Sequence, residues 1–145
     1  MKKRTISFIF LANFISFPTH AESQENSYGY YPEKVSLAGV VSREMFYGVP
    51  NFGETPDTDE KVYALILKLD EPISVHGDNG ADYQRRDSFD NISEIELRSE
   101  KDETLIGKHV LVTGELYERT TSFDHTDVLL RREKITELPS KSPMQ

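Results

Sequence analysis

The stretch His109–Arg119, HVLVTGELYER, constrains the fold of this chain more than any other. Val110, Val112, Gly114 and Leu116 fall on one face, and Thr113, Glu115 and Tyr117 on the other. A period of two is the signature of a half-buried strand. The same period recurs in VSLAGVVSREMF, where Val35, Leu37, Gly39 and Val41 share a face. Each run carries a glycine in mid-strand, where glycine marks a bulge or a sharp bend.

The other elements follow from the same reasoning. KVYALILKLDEPISV is apolar on both faces near its centre and reads as a central strand to about Leu69, with Pro72 forcing a break or an edge before Ile73 and Val75. ISEIELRS is a strand with Ile95 and Leu97 in phase, and DVLLRREKITEL is the last strand. Between them SEKDETLIGK predicts one or two helical turns, with Ser99 as the cap, Leu105 and Ile106 buried and Gly107 as the stop. Residues 47–60 and 76–91 are long loops rich in Pro, Gly and acids. Five strands, a short helix between the third and fourth, and two glycine bends predict an all-β fold: an OB-like five-stranded Greek-key barrel over residues 35–138. A β-sandwich of about seven strands would not fit in this length.

The N-terminus reads as an export signal. Lys2-Lys3-Arg4 precede the apolar run TISFIFLANFISF, and Thr19 and Ala21 place small residues at a cleavage site after Ala21. The run is too short for a stable membrane anchor. Residues 22–34 read as a flexible lead-in and 139–145 as a tail. The expected compartment is the periplasm or the exterior. Without residues 1–21 the chain carries 14 Lys and Arg against 25 Asp and Glu, a formal net charge of −11. Such a chain repels phosphate backbones, which argues against nucleic acid and for basic partners. The sequence contains no Cys, so neither disulfides nor thiol chemistry is open to it.

The segment LIGKHVLVTGELYERTTSFDHTDVLL resembles a bacterial exported family catalogued as domain of unknown function 4431. Gly107, Lys108, Val110, Val112, Gly114, Leu116, Tyr117, Thr121, His125, Thr126 and Val128–Leu130 carry the resemblance. VSLAGVVSREMFYGVPNFGE and YALILKLDEPISV extend it over about residues 35–135. The resemblance implies export and nothing about chemistry. Where that family has a run of histidines, this chain has Phe123-Asp124-His125, which weakens any metal role there.

Candidate sites are few. Asp124-His125-Thr126-Asp127 has a ligand reading, with Asp124, His125 and Asp127 as weak metal candidates, and a structural one. Asp and Thr side chains cap tight turns, and a zinc site wants three or four ligands at known spacings, so the turn reading carries more weight. Phe46, Tyr47, Val49, Pro50 and Phe52 offer either a binding surface or a lid over the core. Arg85-Arg86 is either an anion grip or a surface network with Asp82, Asp87 and Asp90. HGDNGAD lacks the ligand spacing of a calcium loop, and Asn91-Ile92-Ser93 is a chance glycosylation match. No Gly-x-Ser-x-Gly, His-Glu-x-x-His or P-loop is present. The expected function is an exported, non-enzymatic binding module without cofactor. It would recognise a protein or peptide, in an inhibitor or toxin-immunity role, through Phe46, Tyr47, Phe52, Arg85, Arg86, Thr121, Asp124 and His125. The alternative is a metal- or small-ligand-binding protein using His125 and nearby carboxylates. A hydrolase, the third class, would need a cleft with two carboxylates or a His–Asp pair.

Overall fold

The computed structural model describes residues 26–78, 86–98 and 102–139. The expected export signal (residues 1–21), residues 22–25, Asp82, Arg85, the expected cap Ser99 and the expected tail from 140 lie outside the described residues. The strands are β1 (Ser27–Gly29), β2 (Lys34–Tyr47), β3 (Lys61–His76), β4 (Phe89–Arg98), β5 (His109–Glu118) and β6 (Val128–Glu137). The sheet order is β1-β3-β2-β5-β6-β4, and β3 also pairs with β4. Strands β2 to β6 therefore form a closed ring of hydrogen bonds. Only the β4–β6 pair within it is parallel. This is the strand order of the expected Greek-key arrangement.

Alternation builds the interior. Val35, Leu37 and Val41 of β2, Val110, Val112 and Leu116 of β5, and Ile95 and Leu97 of β4 all enter one buried cluster. The two glycines make the ring possible. Gly39 pairs with Leu69 on one side and Val110 on the other. A Cβ there would stand 2.2 Å from the Lys68 carbonyl oxygen. At Gly114 a Cβ would stand 2.1 Å from the Arg131 carbonyl oxygen, beside the register shift of the β5–β6 ladder. Any side chain at either place would push two backbones apart.

Three expectations need correction. Pro72 does not end its strand: β3 runs through it to His76. The proline falls between Lys68 and Ile73, where the β4 ladder skips, and beyond the last β2 pair at Leu69. It therefore removes no ladder donor. The predicted helix is a single 3-10 turn, Glu103–Leu105, capped by Asp102, whose carboxylate accepts the Thr104 N–H at 3.1 Å. Leu105 is buried as expected, but Ile106 is 40% exposed. The lead-in is not loose from residue 26 on. Ser27–Gly29 adds to β3 in parallel at Ser74–His76, and Tyr30 is only 4% exposed. Its hydroxyl donates to the Asp87 carbonyl at 3.0 Å.

Candidate functional site

Counted from β2, the ring's second and third strands are β3 and β4. Its first-to-second and fourth-to-fifth connections are residues 48–60 and 119–127. In OB folds this face, flanked by those two loops, is where ligands sit. In this chain both loops are tightly built, and each is built around one buried carboxylate.

Loop 48–60 closes on Asp59, which is 7% exposed. One carboxylate oxygen accepts Asn51 N–H at 3.0 Å and the Thr55 hydroxyl at 3.1 Å. The other accepts Gly53 N–H at 2.8 Å and Thr55 N–H at 3.2 Å. Burial pushes the Asp59 carboxyl up. The backbone N–H groups of Gly53, Asn51 and Thr55 outweigh it and hold the group below the usual carboxylate range. The loop needs two left-handed residues, Phe52 at φ 51° and Gly53 at φ 103°. Holding a phenylalanine there costs free energy, which the carboxylate cage offsets.

Turn 119–127 repeats the device with Asp124, 6% exposed. Its Oδ2 accepts Thr120 N–H at 3.0 Å, Thr121 N–H at 2.8 Å and the Thr121 hydroxyl at 3.1 Å. Its Oδ1 pairs with the Arg98 guanidinium. Burial again opposes ionisation, and again the Thr120 and Thr121 donors, with Arg98 beyond them, win and hold the carboxyl low. Thr126 ties the turn to β4 and β6: its hydroxyl accepts Glu96 N–H at 2.9 Å and donates to the Val128 carbonyl at 2.7 Å.

His125 lies between these parts. Its backbone N–H donates to Glu96 Oε2 at 2.8 Å, and its Nδ1 is 3.1 Å from the same oxygen. A carboxylate can only accept, so the ring proton sits on Nδ1. The imidazole stacks on Phe46 with centroids 4.2 Å apart. Glu96 is buried at 5% exposure. Its outward-facing register neighbours Ile66 and Leu129 are also buried, outside the interior cluster. The turn thus covers part of the outer face of the ring, and Asp124-His125-Thr126-Asp127 is first a structural turn.

Together the loops frame a cleft of about 190 Å³, lined by Tyr47, Phe52, Tyr63, Leu97, Arg98, Ser122, Phe123 and His125 among others. Phe52 meets Phe123 edge-on at 5.4 Å. Beyond Tyr63 a second hollow of about 220 Å³ shares Val62–Leu65 and adds Arg43 and Glu103. The fold thus brings together Phe46, Tyr47, Phe52, Thr121, Asp124 and His125. It leaves Arg86 elsewhere. Arg86 pairs with Asp78, donates to the Tyr31 carbonyl at 3.0 Å and lies over the Tyr30 ring, so it anchors the N-terminal segment. The expected network with Asp82, Asp87 and Asp90 needs correction: among the described residues the ion-pair partner of Arg86 is Asp78. Asp127 is exposed, and its carbonyl accepts Arg119 N–H at 2.9 Å. Among the described residues no three His, Asp or Glu side chains come together as a metal site. Glu96, Arg98, Asp59, Tyr63 and Phe123 belong to the site and were not singled out from the sequence. An acid between Ile95 and Leu97 reads as solvent-facing, and nothing local says that a turn thirty residues on will cover it.

Comparison with known proteins adds no relative: no family model matches the chain, nor does any curated protein or solved structure. Among the described residues no helix is long and apolar enough to cross a membrane.

Proposed function

We propose that this chain is an exported, non-enzymatic binding module, in the periplasm or beyond it. It grips a polypeptide partner between loop 48–60 and turn 119–127. The observation that carries this reading is where the exposed apolar surface lies. Of eight exposed large hydrophobic side chains among the described residues, five (Met45, Val49, Phe52, Tyr63 and Phe123) sit on the outer half of the β2–β3 hairpin, residues 43–65, or on the turn facing it. A concentrated apolar patch between rigid loops marks an interaction surface. The size of the cleft favours protruding side chains of a partner over a whole small molecule, since ligand pockets run from about 300 to 1,000 Å³. The acidic charge favours a basic partner, as an inhibitor or immunity protein would have. Kinship with the exported family named above belongs to the same proposal. It is supported by the structural work its shared residues do: Gly114 at the close backbone approach, Thr121 and Thr126 in the turn.

The test is capture from periplasmic extract by residues 22–145, by its Phe52→Ala/Phe123→Ala variant and by Tyr31→Ala. Wild type and Tyr31→Ala should retain a discrete partner that the double variant loses. Equal retention by all three, or by none, would overturn the reading.

The Glu96–His125 contact favours a second reading, in which the imidazole edge bonds a small ligand in the cleft. Calorimetry with His125→Gln decides it: ligand binding unchanged by the substitution would end that reading. A metal at Asp124 has little support, because both of its oxygens are already engaged.

A further inference from the structure

The hairpin made by residues 43–47 and 61–65 carries a feature that the cleft does not use. Val41 N–H donates to the Lys108 carbonyl at 3.1 Å, and the Val41 carbonyl accepts Gly107 N–H at 2.8 Å. Both bonds lie on the side of β2 away from β3. Residues along an antiparallel strand alternate in the direction of their backbone bonds. The N–H and C=O groups of Arg43, Met45 and Tyr47 therefore aim the same way as those of Val41. The β5 ladder on that side stops at Val40. Among the described residues no strand lies along 43–47 there, and these residues pair only with β3.

An open edge is a template for another strand, and proteins blunt such edges with lysine, proline or a bulge. Residues 43–47 hold none of these. The one cation, Arg43, lies over the Tyr63 ring, 3.9 Å from its centroid, with its Nε 3.9 Å from a Glu103 carboxylate oxygen. Met45 and Tyr63, directly opposite each other across the pair, are 41% and 40% exposed.

We propose that Arg43–Tyr47 is a docking edge on which an extended, basic segment of a partner polypeptide adds as a strand. The proposal rests on the reading of the chain as a polypeptide-binding module and names how the partner is held. The bare backbone edge asks for an extended chain. Met45 and Tyr63 ask for apolar side chains at alternate positions. Loop 48–60 at the tip of the hairpin exposes Glu54, Asp57 and Glu60 and carries no Lys or Arg, so basic residues complement it. A second copy of this chain fits less well, because its own net charge of −8 would repel the first.

The test uses residues 22–145 and a nine-residue peptide alternating valine and lysine, read by amide exchange. In the free protein the amides of Arg43, Met45 and Tyr47 should exchange fast, and those of Glu44 and Phe46, bonded to β3, slowly. The peptide should slow the first set. N-methylation of alternate peptide residues should abolish the effect in one phase and spare it in the other. A peptide of glutamate and valine should bind at least about tenfold more weakly. Met45→Pro removes the central edge donor and no bond to β3. It should leave the urea midpoint nearly unchanged and weaken the valine–lysine peptide about tenfold, the worth of one good hydrogen bond. A peptide that protects Phe52, Phe123 and His125 but not 43–47 would refute edge docking and leave the cleft reading standing. Edge amides that slow with protein concentration alone, as the mass doubles, would assign the edge to a second copy and overturn the proposal. No protection at either region would also overturn it, while the capture experiment judges the cleft reading separately.

Discussion

The two loops that frame the cleft solve one problem with different surroundings. Asp59 organises loop 48–60 through donors that are all neutral: three backbone N–H groups and one hydroxyl. Asp124 organises turn 119–127 through two N–H groups, a hydroxyl and a full cation, Arg98. Arg98 also reaches the Phe123 carbonyl at 3.1 Å and Glu96 at 3.5 Å. Asp124 is thus wired into β4 and the ring itself, whereas the Asp59 contacts stay within its own loop. Loss of Asp59 should loosen a loop; loss of Asp124 should weaken the domain.

The largest expected effect follows directly. Asp124→Ala removes the acceptor of the Thr120 and Thr121 N–H groups and leaves Arg98 with Glu96 as its one carboxylate partner among the described residues. Hydrogen bonds to a charged group such as this carboxylate contribute about 1.5–3 kcal/mol. Urea unfolding should show a lower midpoint with an unchanged slope, the mark of lost stability in an unaltered two-state transition. A midpoint equal to wild type would mean that the turn is an appendage, and the contrast with Asp59 would collapse.

Acid should expose what the two loops share. Both carboxyls are held below their ordinary range in the folded chain, while in the unfolded chain an aspartate titrates near pH 3.9. A depressed folded value means that the unfolded state binds protons first as pH falls. The stabilisation is fully present above the unfolded value and is lost as pH falls through the folded values below it. Unfolding free energy should therefore be level above about pH 5 and decline below about pH 4. Asp124→Ala should show a lower plateau and a shallower decline. A variant with the wild-type acid limb would show that Asp124 titrates alike in both states.

The legible part of this protein was its periodic part. Val35, Leu37 and Val41, with Val110, Val112 and Leu116, are interior because period-two alternation is a local property, and the strand order followed from matching five strands, a short helix and two glycine bends to a Greek-key barrel. At Pro72 the expected end of the strand is absent, since β3 runs on to His76, but the expected interruption is there as a skip in the β4 ladder between Lys68 and Ile73. Tyr30 was overlooked as a core residue because three tyrosines in a polar stretch have no period, and the chain learns which of them to bury only when β3 and Arg86 are present. The site was half legible. Aromatics on a Pro/Gly loop and a turn rich in Asp and Thr were visible as pieces. Their convergence was not, because it depends on ring closure. Nor were Asp59 and Glu96, whose burial is imposed by segments distant in sequence or by a loop closing on itself.

The smallest expected effect is the sharpest test of the contrast. Asp59→Asn keeps the shape and one carbonyl oxygen but turns an NH₂ group toward donors on the other side. Either flip of the amide therefore faces two donors with a third. Gly53 and Thr55 supply one pair, Asn51 and the Thr55 hydroxyl the other. The hydroxyl can rotate to accept, so the amide should settle with its nitrogen toward Thr55 Oγ1 and Asn51. One N–H, that of Asn51, then loses its acceptor. Because the contacts of Asp59 stay within residues 51–59, the penalty should appear as local opening. Amides of Asn51 and Gly53 should exchange faster, while those of Val110, Val112 and Leu130 in the ring keep their wild-type rates. Equal acceleration in loop and ring would show that loop 48–60 is as much a part of the domain's cooperative unit as turn 119–127, and the difference drawn between the two carboxylates would not stand.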